Sequence, residues 1–541
     1  MAKWPSEVYD IRGVFDGTVF QNGFDGYPTM LYTSTYTTPL GATLAEIEGS
    51  ETQSIAYTKD EGASWIKLNF GAGANPVIYE WPMQNLTGFR DPYVFVSPRL
   101  SALLKDINAT TNANGEHFTT VSSGVHGAGG KLLLYRQTKT GDVTSWTYLG
   151  PLFETGLTES WSSWSGNFGI NYETASVTRL NPSGAALDDG SDSTAQDFVS
   201  MGTEEGRTGH EAHWPLWVAV NYTAQANGSV SAEPLYAGVA DWGRTYAFVS
   251  FTIKGGRQVS VGWVYEDDEN LVLATQRGYQ GCFTLFRDLY LKVIHNVDPS
   301  MTGLHEQGYW GVKNASDGSV TIETLGQRVV SETTTAYKKA SKISKSPSKT
   351  LNQTGYSPLE TQPKGRHYAL SGTFEFDVNS TAPAGFRVLA SNQEFTDILY
   401  DPVAENVTIT RTSSSLVTSY GNDTEVGRLR LWKLVGSDKL TMNMSVYVDG
   451  SIVEVYANDE LAITTRAYPW LLNSTGCGIL MNGTGSAVKV SNLELWDGLL
   501  KAWPDRPTNS SRGLVWDGPI MLTPPSCATA IASIYGLWAG N

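Results

Sequence analysis

Between Tyr9 and about residue 330 the apolar residues fall in short runs, many alternating with polar ones, each cut off by Gly, Pro, Asn or Asp. PTMLYTST, SIAYTKD, DPYVFVS, KLLLYRQ, ASVTRL, LWVAVNYT, YAFVSFTI, QVSVGWVY and LYLKVIHNV are the clearest. Such lengths and spacing fit antiparallel strands rather than helices, whose periodic stripes need ten or more residues. No fixed-period repeat is visible, which argues against a WD40-type array. A divergent propeller and other all-β architectures both stay open.

The texture changes over 331–365, which is rich in Lys, Ser and Thr and poor in apolar residues. It reads as an exposed linker, with room for a short helix through Tyr337–Ser344. Residues 1–330 then form one domain and 366–541 another. In the second, LSGTFEFDV, GFRVLAS, NVTITRT, LTMNMSVYVDG and VKVSNLELWDG are again strand-like. VYVDGSIVEVYANDE sets a Val-Asp-Gly-Ser turn between two alternating runs, a hairpin signal, and a β-sandwich is the natural reading.

The balance of 38 Lys and Arg against 54 Asp and Glu leaves a net charge of −16, so nucleic acid is repelled over most of the surface. A neutral sugar meets no such barrier. The aromatic residues, 17 Trp, 26 Tyr and 18 Phe, can cover apolar sugar faces, although β-cores also use them. Cys282, Cys477 and Cys527 lack metal-ligand spacing and allow one bridge at most, and the seven histidines form no ligand motif. No metal and no cofactor are expected. No apolar run reaches membrane-spanning length; the C-terminal ATAIASIYGLWAG is too short. Asn-x-Ser/Thr sequons start at Asn85, Asn108, Asn221, Asn227, Asn314, Asn352, Asn379, Asn406, Asn422, Asn443, Asn473, Asn482 and Asn509. That is more than chance supplies and suits a secreted glycoprotein. Yet MAKWPSEVYDIRGVF has no basic-then-apolar leader pattern.

Four acidic stretches carry potential chemistry. In WSSWSGNFGINYETASVTRL, Glu173 stands at a strand start with Trp161, Trp164, Phe168 and Tyr172 as sequence neighbours. Poor solvation beside rings raises a carboxyl pKa, which suits a general acid. Taken alone, it reads more readily as an acid on a strand end beside core aromatics. In Gly88-Phe89-Arg90-Asp91-Pro92 the arginine can hold its neighbour ionised and aim it at ligand hydroxyls, or the pair can simply close a turn. Asp16 in VFDGT can be an ordinary turn residue. In ADWGRTYA, Trp242 and Tyr246 can line a pocket or begin a strand.

In order, GVFDGTV, GFRDPYVF, GINYETASV, SMGTEEG, DWGRTYAF, GWVYE and QRGYQGCFTLFRDLYLKV resemble the catalytic domain of glycoside hydrolase family 32. VYVDGSIVEVYANDELAITTRAYP resembles the hairpin of that family's C-terminal sandwich. The likeness is strongest to the fungal fructosyltransferase and β-fructofuranosidase group. It implies a five-bladed β-propeller followed by a β-sandwich, acting on β-fructofuranosides such as sucrose or fructooligosaccharides by retaining double displacement. It also implies that Glu173 is the acid/base and Asp91 the transition-state stabiliser. Arg90, Asp16, Trp242 and Tyr246 would bind substrate. The family's nucleophile, an Asp in a Trp-Met-Asn-Asp-Pro setting, has no counterpart here. Neither Asp10 nor Asp16 has that context. The expectation is an N-terminally incomplete, secreted enzyme with the first blade largely missing, inactive or severely impaired as written. The alternative is a non-catalytic binder of sucrose or fructan with a degenerate propeller.

Overall fold

The computed structural model describes residues 4–37, 46–109, 113–185, 191–207, 212–267, 280–484 and 486–500. The alternating runs ahead of residue 331 are strands, and among the described residues of that stretch they build four antiparallel sheets in chain order. The first comprises Gly13–Phe20, Thr29–Thr35, Glu51–Tyr57 and Ile66–Lys67. The second comprises Leu86–Val96, His117–Val125, Gly129–Lys139 and Asp142–Glu154. Asn171–Asn181, Gln196–Glu204, His213–Ala224 and Val230–Val239 make the third, with short Gly184–Ala185 at its edge. In the fourth, Thr245–Thr252, Gln258–Val264, Arg287–Val297, Val320–Val329 and Gly311–Asn314 lie side by side, and Cys282–Phe283 adds to Gln258–Val264.

The lead strand of each sheet lies against the lead strand of the next: Gly13–Phe20 beside Leu86–Val96, then Asn171–Asn181, then Thr245–Thr252. Sheets that meander outward from neighbouring lead strands make a propeller. Five blades with the first largely missing were expected; the described residues display four.

All four lead strands share a local irregularity. Their pairing shifts register between Val14 and Gly17, between Arg90 and Tyr93, opposite Ser200–Gly202 at Glu173–Ser176, and between Tyr246 and Val249. In three of them a non-glycine residue takes a left-handed backbone, Asp91 at φ 58, Thr174 at φ 47 and Ala247 at φ 50. A bulge bends its strand and re-aims the side chains beside it, and a left-handed residue with a Cβ is held there only by its surroundings. The four bulges carry Asp16, Asp91, Glu173 and Tyr246.

The stretch 331–365 departs from the expected exposed linker. Ser331–Ala340 is a helix, starting six residues before the expected one. Lys342–Ser346 and Lys349–Leu351 then pair with Val488–Asp497, and Gly355–Pro358 pairs with Gly476–Met481. Polar composition misled because these are edge strands, with one side in water. They complete two packed sheets. One also contains His367–Asp377, Lys439–Asp449, Ile452–Ala457 and Leu461–Arg466, and the other Ala384–Ala390, Thr396–Asp401, Asn406–Thr410 and Glu425–Arg428. Phe374, Phe376, Phe386, Ile398, Met442, Val446, Val455 and Ile479 fill the space between them. The expected Val-Asp-Gly-Ser turn joins Lys439–Asp449 to Ile452–Ala457 as a hairpin.

Met1–Gly498 forms one compact unit and Leu499–Asn541 another, of which only Leu499 and Leu500 are described. The expectation that the sandwich continues to 541 therefore lies mostly outside the described residues, as does Cys527. Cys282 and Cys477 are free thiols.

Propeller and sandwich meet through buried ion pairs. Arg287, fully buried, donates to Asp241 at 2.6 Å, to the Tyr456 hydroxyl at 3.0 Å and to the Thr464 hydroxyl at 3.1 Å. Arg411 of the sandwich reaches Asp267 at 2.6 Å and Glu425 at 3.0 Å, and Arg244 of the propeller reaches the same two carboxylates at 2.8 and 3.4 Å. Gly243 sits so close that a Cβ there would come within 1.8 Å of the Thr464 carbonyl oxygen. Only glycine permits that approach.

Candidate active site

Around the bulges, carboxylates of two neighbouring sheets converge on Arg90 of the second sheet. Its Nε donates to Glu173 Oε1 at 2.9 Å, its Nη1 to both Glu51 oxygens at 3.0 and 3.2 Å, and its Nη2 to Glu204 Oε2 at 3.0 Å. The guanidinium is thus fully forked among carboxylates from the first and third sheets. Glu51 is itself pinned by the Phe89 amide at 2.6 Å, and Glu204 by the Asn171 amide group at 2.6 Å. Asn171 in turn accepts from Thr87 at 2.8 Å.

Glu173 receives a second hydrogen bond, 2.8 Å, from the Tyr246 hydroxyl. Tyr246 donates because its own ionisation is suppressed: burial first, then the Glu173 charge, push its pKa well above the ordinary value. The His213 ring stacks on Tyr246 at 4.1 Å between centroids. Asp91 is buried. Its amide donates to Thr33 Oγ1 at 2.7 Å and its Oδ2 accepts from the Thr174 amide at 2.9 Å. Thr33 is held by Gln53 at 3.1 Å, and Gln53 donates to the Phe89 carbonyl at 2.7 Å. Asp16 is more open to solvent, on the bulge of the first lead strand.

The electrostatics reverse two expectations. Burial works to raise the Glu173 pKa, but the charges of Arg90 and His213 and the Tyr246 and Arg90 hydrogen bonds outweigh it, and the net shift is downward. Its aromatic sequence neighbours do not surround it. Tyr172 and Phe168 pack on Phe153, while Trp164 packs on Tyr309 and Trp310. Alternation along the strand turns Tyr172 to the opposite face, and Phe168 and Trp164 precede the strand. Asp91, expected to be held ionised by Arg90, is instead raised well above its usual value by burial and by the charges of Asp16 and Glu173, against which Arg90 is the lesser influence. The guanidinium forks point elsewhere. Asp16 is raised by desolvation and by the charge of Glu173.

Glu204 is shifted the other way from Glu173. Desolvation, then the Glu173 charge, lift its pKa to about 7 despite Arg90 and Asn171. Ligand atoms of Glu173, Glu204 and His213 lie within 4.8 Å of one another, a spacing compatible with a cation. Arg90 already supplies positive charge to both carboxylates.

Of the residues singled out from sequence, Glu173, Asp91, Arg90, Asp16 and Tyr246 converge. Trp242 does not. It is buried edge-on against Trp214, its amide donates to the Ala462 carbonyl at 3.0 Å, and a Cβ at Gly427 would come 2.9 Å from its ring. It packs against the sandwich. Asp10 is buried and spent on structure: it pairs with Lys67 and accepts from the Tyr32 hydroxyl at 3.0 Å and the amides of Ser6 and Glu7 at 3.0 and 2.9 Å. Glu51, Glu204 and His213 were not anticipated. SETQS, a polar run that proves buried at the start of its strand, was an available sign for Glu51, and SMGTEEG, matched above, contains Glu204.

Two family profiles match most of the chain. The profile described as the N-terminal domain of glycosyl hydrolases family 32 matches residues 1–298, and the family 32 C-terminal profile matches 329–497. A levanase of Bacillus subtilis (strain 168) is 24% identical over 488 residues, 86% of this chain. The chain spans 57% of that levanase's length. The structure resembles the β-fructofuranosidase of Aspergillus kawachii complexed with glycerol, with TM-score 0.85, 31% identity and coverage of 94% of this chain and 86% of that one. It also resembles the fructosyltransferase of A. japonicus, with TM-score 0.84, 30% identity and coverage of 92% and 86%. Fructan 1-exohydrolase IIa of Cichorium intybus shares the fold at TM-score 0.63 and 17% identity, over 92% and 86%.

Proposed function

The chain belongs to glycoside hydrolase family 32, and from that premise we propose that its carboxylate cluster is built to cleave or transfer β-fructofuranosyl units from sucrose or fructooligosaccharides. One observation carries the reading: Glu173 is gripped by Arg90 at 2.9 Å and Tyr246 at 2.8 Å, beside a buried Asp91. Glu173 is the acid/base. Its pKa is low without substrate, while Glu204, sharing the same guanidinium, holds a proton near neutral pH. A sugar that displaces water removes solvation from the Glu173 carboxylate, which raises its pKa and favours the protonated form that a general acid needs. Asp91 faces the fructosyl hydroxyls, with Arg90 fixing the group around it, and Asp16 and Tyr246 form the wall.

Double displacement also needs an attacking carboxylate. Residues 1–541 hold no Asn-Asp-Pro aspartate, and Asp10 is already committed to Lys67 and Tyr32. The polypeptide as written is therefore inactive or severely impaired. The same observation favours a second reading, a non-catalytic binder of sucrose or fructan.

The test is sucrose given to this chain and to one preceded by a segment bearing that aspartate, with glucose, fructose and trisaccharide separated. The expected result is no release from the first, turnover by the second, and loss of at least about a hundredfold on Glu173→Gln. Turnover by the first would show that another group attacks. Sucrose binding without turnover by either would establish the binder.

The chain also reads as a secreted glycoprotein. Of the sequon asparagines described, Asn406 is partly buried and every other one is exposed.

A further inference from the structure

The sandwich presents an apolar tip that the candidate site does not use. Trp470 is 65% exposed and Leu472 is 93% exposed, the highest value among the large hydrophobic residues of the described chain. Among the described residues no aromatic ring stacks on Trp470. Exposed apolar residues grouped at one point of a surface mark a contact.

The tip is braced from below. Glu394, buried, accepts from the amides of Leu416 and Trp470 at 2.8 Å and of Leu471 at 2.9 Å, and from the Ser474 hydroxyl at 2.6 Å. Arg366 donates to the Leu471 carbonyl at 2.6 Å. The Ser474 amide closes a turn onto the Leu471 carbonyl at 3.0 Å, which places Leu472 and Asn473 at its two corners. A turn held by this many bonds shows its side chains at little further entropic cost.

The same turn contains a sequon, Asn473-Ser474-Thr475, three residues beyond Trp470. Asn473 is exposed, and its side chain makes no hydrogen bond among the described residues. We propose that Asn473 carries an N-linked glycan whose first sugars lie over Trp470 and Leu472. This rests on the reading of the chain as a secreted glycoprotein. The indole offers a flat apolar face with a polar edge, the surface that suits the C–H face of a pyranose. The attachment point at the edge of the patch makes the contact intramolecular and raises the sugar's effective concentration there. In the linking step the Asn473 Nδ2 forms a bond to C1 of N-acetylglucosamine on a lipid pyrophosphate-linked oligosaccharide. The C1–O bond to phosphate breaks, and the lipid pyrophosphate departs with the amide proton.

The experiment is secretion of the full chain from a eukaryotic host, with glycopeptide mass spectrometry at every sequon. Trp470 oxidation by N-bromosuccinimide is then timed in the wild type and in Thr475→Ala, which loses the sequon but keeps the Ser474 bond to Glu394. Trp4, 68% exposed, is the internal control. Asn473 is expected to be occupied, and Trp470 to react at least about threefold more slowly in the wild type than in Thr475→Ala, with Trp4 unchanged. Other sequons occupied with Asn473 bare overturns the inference and leaves the glycoprotein reading standing. No sequon occupied overturns both. An occupied Asn473 with equal Trp470 rates refutes the packing, and leaves the bare tip as a surface for another partner.

Discussion

Two of the buried groups of arginines and carboxylates among the described residues are balanced differently. At the junction of propeller and sandwich, Arg244, Arg287, Arg411 and Arg466 face Asp241, Glu266, Asp267, Glu425 and Glu454. Asp241 there is saturated, accepting from Arg287, from the Gly243 and Thr464 amides and from the Thr464 hydroxyl. At the candidate site one arginine serves Glu51, Glu173 and Glu204, with Asp16 and Asp91 close enough to feel their charge. The junction spends its charges on holding two bodies together. The site holds more carboxyl groups than cations, and burial with mutual repulsion raises the proton affinity of Asp16, Asp91 and Glu204, which is the kind of shift acid/base chemistry uses.

The contrast can be broken from the junction side first. Arg287→Met leaves Asp241 and Glu454 buried without their cation, and should cost about 3–5 kcal/mol in urea unfolding. A loss under about 1 kcal/mol would mean the junction is not held as described.

Glu204→Gln should act in the opposite direction and depend on pH. Folding raises the Glu204 pKa from 4.5 to about 7, so the folded chain binds the extra proton between those values. That contribution is complete below about pH 4.5 and is lost as pH rises through 7, of order 3 kcal/mol in all. The glutamine mimics the protonated acid. Its stability relative to wild type should therefore grow from pH 4.5 to pH 8, and a pH-independent difference would sink the assignment. Glu173→Gln, on the same guanidinium, should destabilise at pH 7 by about 1–2 kcal/mol. The folded state lowers the Glu173 pKa, so this contribution is present above 4.5 and fades as pH falls through the folded value. Equal signs for the two glutamines would refute the division of roles between them. Smallest of all, Lys345→Ala removes an exposed partner of Glu494, 2.9 Å away, and should change unfolding by less than about 0.5 kcal/mol. A larger change would blur the distinction between buried and surface pairs.

Strand periodicity was legible because it is local: YVFV, ASVTRL and YAFVSF are strands where their alternation put them. Glu173, Asp91, Arg90 and Tyr246 could be picked out because each lies in a motif on a lead strand. Glu51 and His213 could not, because what makes them part of the site is the meeting of separate sheets, while Glu204 lay in the matched SMGTEEG but off the lead strands. Trp242 failed for a related reason: four residues before Tyr246, it lies ahead of the strand and the bulge and is turned toward the sandwich. The charge state of Glu173 was misread because the rings beside it in sequence lie elsewhere in space, whereas Arg90, 83 positions away, lies 2.9 Å off.

The bulges at Asp16, Asp91, Glu173 and Tyr246 also bear on how the chain avoids errors while it assembles. A regular strand can slide by one residue along its partner and exchange its two faces. A strand that accommodates two residues opposite one at a single place, with Asp91, Thr174 or Ala247 in a left-handed backbone, pairs properly in one alignment only. The residues that gather the acids are thereby alignment keys for folding, so a sheet that seats its bulge has also delivered its side chain to the centre.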